Sequence, residues 1–251
     1  MDYTVYLHDS GILEWKINRP EKRNAINFNV IHGLEKALEI AEDDPKVKAF
    51  VITGEGETAF CSGGDLDEFH LLKTKEDAYA MLSKMGKILF RLATLDKPTL
   101  ALINGTAVGG GCELAAACDF RIAKKGSKLG FIQGNLGITT GWGGASLLFE
   151  RIPVHSALKM LMEAKTYYAE ELIEEGFIQF VFSEVNSDSA HQFFKEMIMK
   201  DVNVLKCYKQ SIISKWEENH LQERMNQEIR NCAVLWERDT HHQAVEKFRN
   251  K

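Results

Sequence analysis

Two glycine clusters, each placed where a short apolar run gives way to a helical pattern, constrain this chain more than any other feature. The first is Phe60-Cys61-Ser62-Gly63-Gly64-Asp65-Leu66. The second is Asn104-Gly105-Thr106-Ala107-Val108-Gly109-Gly110-Gly111-Cys112-Glu113-Leu114. Glycine lets a backbone N–H approach a ligand closely and point at it. Two such bends facing one another provide a pair of amide donors for a single developing oxyanion. The second bend also carries a carboxylate, Glu113, three residues past Gly110. That combination predicts carbonyl chemistry beside a proton-transfer group. The plainer alternative is a tight turn with close strand–helix packing, and spacing alone leaves both open. The run does not end in the Gly-Lys-Ser/Thr of a phosphate loop and does not fit Gly-x-Gly-x-x-Gly.

Around the clusters the pattern repeats strand, turn and helix. Thr4–His8 and Ile12–Ile17 alternate about Asp9-Ser10-Gly11, a hairpin signal. Phe28, Ile31, Leu34, Leu38 and Ala41 predict an amphipathic helix over roughly 28–43, and Met81, Met85, Ile88, Leu89, Leu92 and Leu95 another over about 76–95. Ala49–Thr53, Thr99–Ile103 and Phe120–Ala123 read as buried strands, and Glu113–Cys118 as a small-residue helix. Strands joined by crossover helices predict an α/β fold with a parallel or mixed sheet. From Gly143 onward strand signals fade, apart from Gln179–Phe182, and helical segments follow one another to about residue 248. The C-terminal helices either fold back on the core or reach a neighbouring subunit.

At 251 residues the chain is long enough for one or two domains. A net charge of −5 with no basic stripe gives little support to a nucleic-acid partner. No apolar run approaches a membrane span, and the N-terminus lacks a secretory pattern, so a cytoplasmic protein with no membrane partner is expected. The five cysteines lack metal-type spacing and read as reduced thiols, with no metal site expected. Cys61 and Ser62 have no identifiable paired base, so packing is preferred to a nucleophile for both.

The run Asn104 to Asp119, together with Ala59 to Leu66, resembles the enoyl-CoA hydratase/isomerase (crotonase) superfamily. Asn18-Arg19-Pro20-Glu21-Lys22-Arg23-Asn24-Ala25-Ile26, the segments Gly137–Gly144 and Glu171–Gly176, and the closing Lys247-Phe248 fall in the same family-like order. The resemblance implies a spiral of ββα units over residues 1–190 and a C-terminal helical trimerisation region over 191–251. It implies an acyl-CoA thioester substrate in fatty-acid or short-chain acyl-CoA metabolism, no cofactor beyond the CoA moiety of that substrate, and a homotrimer or dimer of trimers. Residue by residue it places an oxyanion hole at Gly64 and Gly110 and a general acid/base at Glu113. CoA contacts fall at Lys22, Arg23 and Ala25, with Ser62, Asp65 and Trp142 bordering the pocket. The plainer reading of Lys22 and Arg23 is a solvated turn, that of Asp65 a helix cap, and that of Trp142 core packing.

One position departs from the hydratase pattern. Family hydratases carry a second glutamate about twenty residues downstream; here that position is Gln133, and the preceding proline position is Ile132. An amide holds a group by hydrogen bonds but exchanges no proton at neutral pH. Two-carboxylate hydration is therefore disfavoured, and isomerisation weakened. Decarboxylation of a malonyl-type thioester becomes the rival. Cys118-Asp119-Phe120-Arg121 and Gly137–Gly144 also resemble, over a shorter stretch, the alkylmalonyl-CoA decarboxylase branch. A non-catalytic acyl-CoA-binding protein is the reading from outside enzymology.

Overall fold

A computed structural model describes residues 1–249. Residues 250 and 251, the end of the expected C-terminal region, lie outside the described residues.

The hairpin strands are β1 (Tyr3–Leu7) and β2 (Ile12–Ile17), followed by α1 (Phe28–Asp43), β3 (Ala49–Gly54) and β4 (Ala59–Cys61). Next come α2 (Leu66–Phe69), α3 (Lys75–Ala93), β5 (Thr99–Ile103), β6 (Thr106–Val108) and α4 (Gly110–Ala117). The third unit is β7 (Phe120–Lys124) and β8 (Lys128–Gly130), then a 3-10 turn over Gln133–Leu136. The chain continues through α5 (Gly144–Arg151), α6 (Val154–Glu163), β9 (Tyr167–Tyr168), α7 (Glu171–Glu174) and β10 (Phe180–Phe182). It closes with α8 (Ser187–Ile198), α9 (Val202–Glu218), α10 (Leu221–Trp236) and α11 (Asp239–Arg249).

The strands form two sheets rather than one. The larger runs β1-β2-β3-β5-β7-β10 and the smaller β4-β6-β8-β9. β1 pairs antiparallel with β2, and every later pairing in the larger sheet is parallel. Each of the pairs β3/β4, β5/β6 and β7/β8 gives its first strand to the large sheet and its second to the small one. The chain therefore advances as a spiral, one ββ unit per turn. Asn104 pins one corner: its Oδ1 accepts Gly54 N–H at 3.1 Å and its Nδ2 donates to Gly56 O at 2.6 Å.

The large sheet is buried on both faces, which explains why its strands read as continuous apolar runs. Along β3, Phe50 and Ile52 face the main core, while Ala49 and Val51 face a second cluster closed by Ala190 and Phe194 of α8. α1 follows the expected stripe from Ile31 onward, burying Val30, Ile31, Leu34, Ala37, Leu38 and Ala41, whereas Phe28 at its start is exposed. Each such large aliphatic side chain contributes roughly 1.5–3 kcal/mol when fully buried. Asn27 caps α1 by accepting Val30 N–H at 2.9 Å.

The described C-terminal helices fold back on their own core. α10 packs along α3 and α5, and α11 packs on the Gln133–Leu136 turn. This sets the wall of the site, because the turn and α11 face the glycine bends. Among the described residues no helix is long and apolar enough to cross a membrane.

Candidate active site

The two glycine bends meet. A Cβ on Gly63 would lie 3.2 Å from the Gly110 nitrogen. In the first bend Ile26 N–H donates to Gly63 O and Asp65 N–H donates to Ile26 O, both at 2.8 Å. Those bonds bracket Gly64 and leave its own N–H outside the pairing. In the second bend Gly109 N–H is taken by Gly130 O at 2.9 Å, and Gly109 O accepts from Cys112 and Glu113. Gly110 is the first residue of α4, where a helix has no internal acceptor to offer its N–H. Among the described residues neither Gly64 N–H nor Gly110 N–H has an acceptor. Both lie on one cavity of about 860 Å³.

Trp142 covers both glycines and is buried. A Cβ on Gly110 would collide with its six-membered ring, and one on Gly64 would lie 3.7 Å from its Cζ2. The indole thus requires glycine at 110 and forms a wall beside the two donors. Trp142 is held by its own backbone, whose N–H donates to Glu113.

Glu113 sits one turn into α4 and is buried. Its Oε2 accepts Trp142 N–H at 2.8 Å and Gly144 N–H at 2.9 Å. Its Oε1 accepts Gly141 N–H at 3.2 Å and the Gln133 amide Nε2–H at 2.9 Å. Burial and the nearby Glu228 carboxylate push its pKa up to about 7, against the opposing pull of the three backbone donors. A carboxyl group at that value exchanges protons at neutral pH. Gly144 is glycine for the same reason as Gly110: a Cβ there would overlap the Glu113 side chain.

Gln133 therefore does not stand free in the pocket. Its Nε2 is committed to Glu113, while its buried Oε1 has no partner.

The other expected residues gather around the same cavity, in different conditions. Lys22, Arg23, Ala25, Ser62 and Asp65 all line it. The 22–25 turn is tied to the first bend, since Ser62 N–H donates to Arg23 O at 3.1 Å. Lys22 Nζ is paired with Asp67 at 2.7 Å, whereas the exposed Arg23 guanidinium has no hydrogen-bond partner among the described residues. Asp65 is the cap of α2, accepting Asp67 N–H at 3.0 Å, and its other oxygen holds Arg19 at 2.8 Å. Its carboxylate is thus used structurally. Cys61 is fully buried and its thiol is pushed up to about 12 by burial, which removes it as a nucleophile.

Residues from the far end of the chain also line the cavity, among them Trp236, His241 and Cys232. His241 Nδ1 lies 2.7 Å from Leu136 O, and burial holds the imidazole below its usual range. No local motif marks these positions, because α10 and α11 reach the site only through tertiary packing. Among the described residues no cluster of three or more His, Cys, Asp or Glu side chains is placed to hold a metal.

The sequence profile of the enoyl-CoA hydratase/isomerase family matches residues 8–251. The chain is similar to the ethylmalonyl-CoA decarboxylase of Xenopus laevis, 31% identical over 231 residues that cover 91% of this chain and 77% of that one. It is also similar to the short-chain-enoyl-CoA hydratase of Clostridium acetobutylicum, 35% identical over 163 residues, covering 64% and 62% respectively. In fold it matches the crystal structure of enoyl-CoA hydratase from Bacillus halodurans with a TM-score of 0.89 at 21% identity, covering 98% of this chain and 100% of that one. With a whole-length profile match and a relative above 30% identity along most of its length, this chain belongs to the enoyl-CoA hydratase/isomerase family.

Proposed function

We propose that the protein acts on a short-chain acyl-CoA thioester through an enolate, and that its reaction is decarboxylation of an alkylmalonyl-CoA. Gln133 carries this reading. It puts an amide where a second carboxylate is needed for hydration, and that amide spends its donor on Glu113. One proton-exchanging group at the cavity floor suits decarboxylation. The N–H groups of Gly64 and Gly110 donate to the thioester oxygen. The bond from carbon 2 to the free carboxylate breaks, its electron pair enters the enolate, and CO₂ leaves. Protonated Glu113 then delivers a proton to carbon 2 and recovers one from water.

Two features support the proton step. A pKa near 7 keeps the acid form of Glu113 available at neutral pH. The Gln133 amide suits either state of Glu113: Nε2–H donates to the carboxylate, and after a flip the unpartnered Oε1 accepts the acid's O–H. The similarity to an ethylmalonyl-CoA decarboxylase also spans more of this chain than the similarity to a short-chain hydratase.

For the substrate's CoA portion, unpaired Arg23 is better placed for a phosphate than Lys22, with Ala25 and Ser62 along the path and Trp142 walling the acyl group. No cofactor beyond the CoA moiety enters the scheme. A homotrimer or dimer of trimers in the cytoplasm is the setting we propose.

Hydration is the second reading, favoured by the 35% identity to a short-chain hydratase. Purified protein offered methylmalonyl-CoA, ethylmalonyl-CoA, crotonyl-CoA and a 3-enoyl-CoA separates the readings. CO₂ release that falls as pH rises through about 7 is the expected result. Hydration of crotonyl-CoA without CO₂ release would overturn it. Tight binding of all four with no product would leave an acyl-CoA-binding protein.

A further inference from the structure

Glu113 is not the only carboxylate at the start of α5. Glu228, on α10, enters the same bend from the opposite side. Its Oε2 accepts Ser146 N–H at 2.8 Å and the Ser146 hydroxyl at 2.7 Å, and its Oε1 accepts Ala145 N–H at 3.1 Å and the Thr140 hydroxyl. Segment 140–146 therefore aims the N–H groups of Gly141, Trp142 and Gly144 at one carboxylate and those of Ala145 and Ser146 at the other. A bend with this many donors facing inward is stabilised by negative charge.

We propose that Glu228 is a positioning residue for Glu113: by sharing the N-terminus of α5 it folds the 140–146 bend and, as a second carboxylate beside it, sets how readily Glu113 gives up its proton. The claim rests on the proton-transfer role given to Glu113. It makes α10 part of the chemical apparatus, although no atom of Glu228 lines the cavity. Fixed like charges brought together raise one another's proton affinity and titrate as a pair. Burial raises Glu228 as well, in the same direction as Glu113.

The other ionisable groups facing the pair do not screen it. Cys112 on α4 and Cys232 on α10 are buried thiols pushed up, and so neutral. Arg224, one turn before Glu228 on α10, is directed instead to Glu150 at 2.6 Å.

The test is a titration of the full chain carrying ¹³Cδ-glutamate, with Glu113 and Glu228 assigned by Glu113→Gln and Glu228→Gln. In the unaltered protein the two signals are expected to share inflections. In Glu228→Gln the Glu113 signal is expected to titrate in one step, moved acidward by about half a pH unit or more, as loss of a nearby like charge requires. The pH profile of turnover is expected to move the same way, while Glu228→Asp, which keeps the charge, leaves it in place. A Glu113 inflection that stays put while only the melting temperature falls would overturn the proposal. Should Glu228→Gln fail to fold, Glu113→Gln serves, because coupling is reciprocal and the Glu228 signal must then lose the shared inflection and titrate in one step; a Glu228 curve unchanged in shape would equally overturn it. If the signals shift but no thioester is turned over, the coupling stands and the decarboxylase reading fails.

Discussion

Replacing Gln133 with glutamate puts a second carboxylate where Nε2 now sits, 2.9 Å from Glu113 Oε1. At an effective dielectric of about 20, two unit charges at that distance repel by roughly 6 kcal/mol. Keeping one proton on the pair costs only about 1.4 kcal/mol for each pH unit above the group's own value. Across the neutral range the proton is the cheaper solution, so the folded variant holds one more proton than the folded parent. In the unfolded chain both carboxylates are near the ordinary 4.5 and ionised. A folded value raised above the unfolded one gives stability that is present in acid and lost as pH rises through the folded value. The parent already follows this sign: Glu113 costs it stability progressively from about 4.5 to about 7, and no further above that. In Gln133→Glu the loss continues. The gap between parent and variant is expected to widen by about 1.4 kcal/mol per pH unit between about pH 7 and 9. Urea unfolding at several pH values reads this directly. A gap independent of pH would mean that residue 133 does not face Glu113, and the geometry behind the one-carboxylate argument would be wrong. The same variant, now with two carboxyl groups, is expected to gain crotonyl-CoA hydration by about tenfold or more.

Gly110→Ala drives a methyl into the Trp142 ring; overpacking of about 1–3 kcal/mol and a turnover loss of about 10²–10³ are expected, read by thermal melting and kcat. Glu113→Gln is expected to abolish product formation while acyl-CoA binding by calorimetry persists; unchanged turnover would remove its role. Asp65→Ala strips the cap of α2 and removes the 2.8 Å carboxylate partner of Arg19, which keeps Ala25 O and Asp2, so a stability loss of about 2 kcal/mol is expected by urea unfolding. Iodoacetamide on the native protein is expected to label Cys207 alone, since Cys61, Cys112, Cys118 and Cys232 are buried with thiols pushed up.

Local signals carried the larger sheet and the long helices well. The stripe in 28–43 coincides with α1, and Thr99–Ile103 is β5. The small sheet was not legible. β4, β6, β8 and β9 are two or three residues long, too short for alternation to show, and they exist because the spiral brings them side by side. The helix expected at Glu113 begins three residues earlier, because Gly110 and Gly111 belong to its first turn rather than to the preceding bend. At the site, residues from one bend or its neighbour were visible: Gly64, Gly110, Glu113 and Gln133 all face the cavity. Their mutual bonds were not. That Gln133 donates to Glu113, and that Glu228 shares its helix start, depends on side chains 20 and over 80 residues apart in sequence meeting. Asp65 shows the converse, since the capping signal in the sequence is the role its side chain performs.

The central claim is that two peptide N–H groups, from Gly64 and Gly110, grip one thioester oxygen. A crystal structure with a non-reactive acyl-CoA analogue tests it most directly. The account predicts that oxygen about 2.7–3.1 Å from both nitrogens, with carbon 2 turned toward Glu113. An oxygen directed elsewhere, with either N–H bonded instead to a carbonyl of the protein, would contradict it.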